Sequence, residues 1–311
     1  MPHRWYALHA IGANISLIDQ LRAAINPASS HTNGRHTPRY RISDFFVPTE
    51  IKNIHTEQGV RKYRGLIVGS YVFIRGVRHD IAFLKNDSQA IQADLRFVKL
   101  DHRPGSNAYA IVPDHEMTSF RIAVEAMQGQ RIEYFTPTKT QLETGDYIRV
   151  IGGPFEGVEG TLISKKGHEG GRVIISCSNL LAFKTLEIEP HNIQLLSLAT
   201  GQSRSYKKID NLLTLTQTLW QHRHHLTIDE EQQLHLIIRR YSNLQLTSSL
   251  SRKHTAAMLL TLATIRHHNP TLHQDLLTKY INQAHQLLSH PAPSNHIITD
   301  TLAELQVEAQ A

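Results

Sequence analysis

The chain of 311 residues contains a single cysteine, Cys177. An internal disulfide is therefore impossible, and so is a cysteine-based zinc cluster. No stretch approaches about 18 uninterrupted apolar residues, so no membrane-spanning helix is expected. The opening MPHRWYALHAIGAN has no long apolar run behind a basic stretch, and a secretory signal is not expected either. Acidic residues are in the minority: 33 Lys+Arg face 27 Asp+Glu, a formal charge of +6. Core-forming material is not scarce. Hydrophobic residues make up 40% and charged residues 19%, which is the composition of a folded chain rather than a disordered one. At roughly 100–200 residues per domain, the length suggests two or three domains. The expectation is a soluble, cytoplasmic, multidomain protein.

The charge is uneven. Residues 1–143 hold 18 Lys+Arg against 13 Asp+Glu, residues 144–202 hold 5 against 6, and residues 203–311 hold 10 against 8. Most of the basic excess therefore falls in the first part, which also carries the cluster Arg61, Lys62 and Arg64. Such an excess fits a nucleic-acid neighbourhood without proving one, and a solvated basic loop explains the cluster equally well.

Along the chain, Trp5-Tyr6-Ala7-Leu8 is β-prone, and Ile15, Ile18, Leu21, Arg22 and Ile25 follow with helical spacing behind Asn14 or Ser16 as cap. Residues 27–43 are polar and rich in turn formers, which predicts an exposed loop. Phe45-Phe46-Val47-Pro48, Leu66-Ile67-Val68 and Tyr71-Val72-Phe73-Ile74 are buried-strand material. Pro113 leads into a helical pattern of Met117, Phe120, Ile122, Val124 and Met127. Strands flanked by helices in this order predict a compact α/β sandwich.

The next stretch is all β. Residues 146–151, 158–164, 172–177, 181–188 and 192–196 are strand candidates separated by glycine-rich or polar turns. Five short strands in about fifty residues predict a small barrel, because an open sheet would leave edges able to pair with other chains. Beyond a polar linker the composition changes again. Residues 209–311 hold no Val except Val307, and many Leu, Gln, Thr and His. Leucine-rich helical spacings recur there, Thr227-Ile228-Asp229-Glu230 opens a helix with a cap and an acidic first turn, and Pro270 and Pro291-Ala292-Pro293 interrupt others. Four or five helices packed as a bundle are expected.

One segment carries a specific pattern. Gly145-Asp146-Tyr147-Ile148-Arg149-Val150-Ile151-Gly152-Gly153-Pro154-Phe155-Glu156-Gly157-Val158-Glu159-Gly160 closely resembles a KOW motif. An alternating strand runs into a tight loop, and Gly157 and Gly160 permit close backbone packing as the next strand starts. The motif residues are Gly145, Asp146, Val150, Gly153, Pro154, Phe155, Gly157 and Gly160. Upstream, Trp5-Tyr6-Ala7-Leu8, Phe46-Val47-Pro48, Arg61-Lys62-Tyr63-Arg64, Val68-Gly69-Ser70-Tyr71-Val72-Phe73-Ile74 and Ile111-Val112-Pro113-Asp114-His115-Glu116 resemble, in order and spacing, the NGN domain of NusG-type transcription elongation factors. The resemblance covers roughly residues 4–196. Gly69-Ser70 stands where the family has Pro-Gly, and the helical part has no counterpart in NusG proper, so the chain looks more like a specialised paralogue of the RfaH or UpxY kind.

With a linker at 199–208 and the all-α helical bundle expected from its leucine spacings over 209–311, the chain is expected to be an α+β multidomain protein, of which the resemblance implies an NGN-like α/β sandwich over 1–130, a linker at 131–143 and a KOW β-barrel over 144–198. The resemblance implies a non-enzymatic factor without a cofactor. Such a factor docks on the clamp of the largest RNA polymerase subunit, suppresses pausing or termination, and does so at particular operons. Trp5, Tyr6, Val68, Tyr71 and Phe73 would form the polymerase-binding patch, although large apolar residues are as often plain core. Arg61, Lys62 and Arg64 would face DNA or nascent RNA near the polymerase through phosphate contacts. Leu180 and Phe183 stand near the loop that binds a small-subunit ribosomal protein or the termination factor Rho in relatives. The alternative is a KOW-containing RNA- or ribosome-binding protein.

Other constellations point to no chemistry. Among 21 histidines, His222 and His225 lie three apart and could share an ion, but a solvated His-rich helix is the plainer expectation, and no metal site is assigned. The glycine runs at 152–160 and 167–171 lack the Lys-Ser/Thr of a phosphate loop, and His168-Glu169 lacks the second His of a zinc protease. Cys177 in an apolar strand reads as a buried thiol. No catalytic triad or carboxylate pair is present, and an enzyme is the least expected class.

Overall fold

The computed structural model describes residues 2–25, 40–66, 71–100, 108–127, 132, 135, 145–164, 171–178, 180–199, 203–246 and 249–308. The chain forms two compact units. The first holds residues 1–139, 152–160 and 172–187; the second holds 140–151, 161–171 and 188–311.

The main sheet of the first unit is built from β1 (Arg4–Ile11), β2 (Ile42–Phe46), β5 (Tyr71–Gly76), β6 (Asp94–Phe97) and β7 (Ile111–Val112). Its order is β2-β5-β1-β6, with β7 also on β1, and each pairing is antiparallel. β1 lies in the interior of that order, which is why its sequence is apolar on both faces. On one face Tyr6, Leu8 and Ala10 of β1 and Val72 and Ile74 of β5 share a core with helices α1 (Leu17–Ile25) and α2 (Arg78–Asn86), through Leu17, Leu21, Ile81 and Leu84. The opposite face carries Trp5 and Phe73 and meets α3 (Asp114–Ala126). A separate antiparallel hairpin joins β3 (Thr49–Thr56) to β4 (Gly59–Leu66).

Local sequence explains the joints. Asn14 Oδ1 accepts from the Ser16 amide at 2.8 Å ahead of α1, a side-chain turn that competes with a continued strand. Asp80, buried in the first turn of α2, accepts from the Arg41 amide and from Arg41 Nε, both at 2.8 Å. Those bonds hold the Asp80 carboxyl well below the usual carboxylate range and anchor the start of β2 to α2.

The remaining strands are β8 (Tyr147–Val150), β9 (Glu159–Ser164), β10 (Gly171–Cys177), β11 (Leu181–Ile188) and β12 (Ile193–Ser197), hydrogen-bonded in the order β11-β10-β9-β8-β12. Helices α4 (Ser203–Gln221), α5 (Ile228–Tyr241), α6 (Ser249–His268), α7 (Gln274–Leu288) and α8 (Asn295–Glu308) follow in the second unit. Helix α6 is its centre: Ala256, Ala257, Met258, Leu259, Leu260 and Leu262 are all buried, so it is apolar around most of its circumference, as a helix enclosed by others must be. Two of its three buried threonines return their hydroxyls to the helix backbone, Thr261 to Ala257 O at 2.8 Å and Thr264 to Leu260 O at 2.7 Å, which satisfies a polar group where no water reaches. Arg252 is buried near the α7 C-terminus and donates to Asn295 Oδ1 at 2.6 Å and to the Leu287 and His290 carbonyls. A cation is well placed at that negative end of the helix dipole. Thr227 and Glu230 form a reciprocal capping box at the start of α5.

Candidate functional site

In the register of β1 against β5, Trp5 lies opposite Arg75, Ala7 opposite Phe73 and His9 opposite Tyr71. With a side-chain period of two, Trp5, Phe73 and Tyr71 therefore share one sheet face. Tyr6, opposite Ile74, belongs to the other face, in the α1–α2 core and edge-on to Phe97. The structure thus brings together three of the five residues expected in one patch and separates Tyr6 from them. Val68, with the Gly69-Ser70 turn, lies outside the described residues.

The shared face is an aromatic cluster. Phe73 lies 5.9 Å from Phe120 of α3 and 6.4 Å from Tyr71, Phe46 of β2 stands edge-on to Phe120, and Arg121 rests over the Trp5 ring at 5.8 Å. Arg121 is held there by Asp44. Trp5 and Phe73 are buried, whereas Tyr71 is half-buried, and burial raises its phenol pKa. Phe46, Phe120 and Arg121 were not among the expected site residues. The spacing of Phe120 with Met117 and Val124 marked it only as one face of a helix.

Phe183 completes this cluster. Expected to meet an outside partner, it is fully buried and stands edge-on to Phe120 at 5.5 Å and 75°. Around it, α3 binds the neighbouring turns. Glu116 Oε2 accepts from the Ser178 amide at 2.6 Å, Ser178 Oγ donates to the Ile111 carbonyl at 2.8 Å, and Ser119 Oγ accepts from the Glu159 amide at 3.0 Å. Leu180 is half-buried beside this turn, its amide bonded to Cys177 O. The Cys177 thiol is pushed well above its ordinary pKa by burial and by the nearby Glu116 carboxylate, so it is neutral and a poor nucleophile.

The glycine-rich run has close backbone packing in both units. A Cβ on Gly160 would lie 2.4 Å from the Ile174 carbonyl oxygen, and Gly157 has φ +86 with Ile122 of α3 at 3.5 Å from the same imagined atom. A side chain at Gly160 would displace backbone, and one at Gly157 would be strained by its left-handed φ. Gly145 precedes β8, Val150 ends it as a buried residue, and Gly153 and Pro154 form the following turn ahead of buried Phe155. Asp146 pairs with Lys208 Nζ at 2.5 Å and accepts from the Ala199 amide at 3.1 Å, so its carboxylate organises the entry into α4.

Arg61, Lys62 and Arg64 lie on β4, where all three are exposed beside Val60 and Tyr63. Arg61 Nη2 donates to Gln58 and Arg64 Nε to Thr49 Oγ1, both neutral acceptors. The hairpin therefore presents basic side chains on a strand rather than on a loop. The histidines fall differently from the expectation: α4 ends at Gln221, so His222 and His225 occupy the turn beyond it and share no helix face. His222 Nδ1 is bonded to Glu230 at 2.8 Å, and that bond, with the Thr227 cap, lowers the Glu230 carboxyl to about 2. Among the described residues no group of three or more His, Cys, Asp or Glu is placed to hold a metal ion, and no helix is long and apolar enough to cross a membrane.

Helices and antiparallel sheets in separate stretches make this an α+β protein. No family model matches the sequence, and no curated protein matches it. A solved structure, "Domain interaction in Thermotoga maritima NusG", aligns at 14% identity with a TM-score of 0.31, over 65% of this chain and 99% of that one.

Proposed function

We propose that the chain is a NusG-like transcription elongation or antitermination factor, non-enzymatic and cytoplasmic, with NGN-like, KOW and helical parts over residues 1–130, 144–198 and 209–311. It docks on the RNA polymerase clamp through the face that carries Trp5, Tyr71 and Phe73, and it suppresses pausing or termination at specific operons. The observation that carries this reading is the convergence of those three residues on one sheet face, in a chain whose 145–160 run has the KOW pattern of glycines. Buried Trp5 and Phe73 can meet a partner only when their cover is exchanged, since an aromatic anchor contributes affinity by being desolvated against that partner. The exposed basic residues of β4 then lie free to contact phosphates of DNA or nascent RNA, which position without reading sequence. A small-subunit ribosomal protein or Rho would be met through the KOW part.

The exposed Arg61, Lys62 and Tyr63 on one hairpin also favour a second reading, an RNA- or ribosome-binding protein. Capture of core RNA polymerase by the full chain separates the two. Docking through apolar contacts predicts capture that persists at raised salt and is lost in Tyr71→Ala with the circular dichroism spectrum unchanged. No capture at any salt sinks the polymerase reading, and steeply salt-dependent binding to RNA alone would put the second in its place.

A further inference from the structure

A cleft of about 620 Å³ opens in the second unit, between α4, α5 and the turn at Pro190–Ile193. Helix α4 contributes Leu212 and Leu215, and α5 contributes Leu236 and Ile237 one turn before Arg239 and Arg240. These positions are i, i+3 and i+4 neighbours, so each helix offers a continuous stripe to the cleft. Leu215 and Leu236 remain 39% and 44% exposed. No carboxylate is among the described residues that line it. Lys208, at its margin, is already neutralised by Asp146, but Arg239 spends Nη2 on the Ile151 carbonyl at 3.0 Å, a neutral acceptor that leaves the guanidinium charge in place. Basic residues in the last turn of a helix are explained in part by the helix dipole. That does not explain two solvent-facing leucines beside them.

We propose that this cleft binds a small amphipathic organic anion: an apolar body of about 10 Å, two helical turns in length, bearing one carboxylate or phosphate. The apolar body lies on Leu212, Leu215 and Leu236, and the anionic head meets Arg239, whose fork of donors suits both head groups. The volume is that of a small-molecule site, which typically spans about 300–1,000 Å³. A protein partner would require roughly 800 Å² on each side, more surface than two helical turns supply.

The test is isothermal titration of the full chain with decanoate and decyl phosphate below their micelle concentrations, beside decanol and decyltrimethylammonium. One anion per chain is expected, with the neutral and cationic chains at least about tenfold weaker, a difference of roughly one guanidinium–anion contact. Arg239→Gln should weaken the anions about tenfold and leave decanol unaltered, while Leu236→Gln should weaken all of them. Both side chains are exposed, so an unchanged circular dichroism spectrum is expected for each variant. Equal affinity for decanol and decanoate, or affinity indifferent to both substitutions, overturns the proposal. So does binding seen only with phosphatidylglycerol vesicles, or tighter binding of an acidic leucine-rich peptide than of either anion.

Discussion

Glu116 in the first turn of α3 holds the backbone amide of Ser178 at 2.6 Å, and Ser178 is one of two non-glycine residues with positive φ among those described, at φ 48. A left-handed serine costs local energy, so the surrounding contacts must hold it in place. The carboxylate supplies a charge-assisted acceptor, and Ser178 Oγ adds its bond to Ile111 O. These bonds fasten the turn between β10 and β11 to α3 and keep Phe183 over Phe120.

Glu116→Ala should therefore destabilise the first unit by about 1–3 kcal/mol, the cost of leaving a half-buried amide without its partner. Urea unfolding followed by circular dichroism gives the value. Because that turn keeps Phe183 over Phe120, the proposed docking on RNA polymerase predicts stronger capture by the variant than by the wild type. A variant that is destabilised yet captures no more polymerase would disconnect the cover from docking.

Gly160→Ala would set a methyl group against the Ile174 carbonyl oxygen, at a distance real Cβ atoms do not show. Accommodating it requires strand backbone to shift, and a loss of about 1–3 kcal/mol is expected, the usual range for overpacking. The substitution Glu156→Ala, on the exposed turn nearby, should stay within about 0.5 kcal/mol. A melting comparison of the two separates backbone crowding from a general sensitivity of the segment.

Acid should weaken the helical unit in a defined window. His254 is buried in α6, its Nε2 bonded to the Tyr241 carbonyl at 3.1 Å, and burial lowers it from 6.5 to about 4. Between those values the unfolded chain binds a proton that the folded chain refuses, so stability falls as pH drops from about 6.5 to about 4 and then levels off for this group. The full loss is roughly 3 kcal/mol. Glu230 and Asp80 have depressed carboxyls and lose their contributions only as pH falls further. Unfolding measured at pH 7 and pH 4.5 should show the drop in wild type and a smaller one in His254→Gln. An identical drop in both would assign it to another group.

The proposed phosphate contacts of the β4 cations predict a salt dependence for nucleic-acid binding. Replacing Arg61, Lys62 and Arg64 with alanine removes up to three phosphate contacts, so the slope of log affinity against log salt should fall by about 2–3. Fluorescence anisotropy with a labelled single strand at several salt concentrations reads that slope. An unaltered slope would return these residues to a merely solvated surface.

Much of the secondary structure was legible because its signals are local. The strands at Tyr147–Val150 and Leu181–Ile188 announce themselves by β-branched and alternating residues between turn formers, and α5 by its cap and acidic first turn. The β3–β4 hairpin was not legible. GVRKYRGL is exposed over most of its length, so no buried face imposes an apolar alternation on it. Helix α2 is short and marked chiefly by Ile81 and Leu84, too little for a period to show.

Composition and spacing by themselves determined that the chain forms helices and sheets, that it has no internal disulfide, and that the glycines at 145–160 belong to a tight strand–turn–strand run. The tertiary structure alone decided which side chains share a surface. Trp5 and Tyr6 are neighbours in sequence, yet the pleat sends one toward Phe73 and α3 and the other toward Phe97 and the α1–α2 core. Phe120 and Phe183 are distant in sequence, and nothing in either local pattern names the other; their contact exists because Glu116 and Ser119 lock two later turns against α3. Hydrophobicity is non-directional, so it marks residues for burial. Register and hydrogen bonds choose what they are buried against.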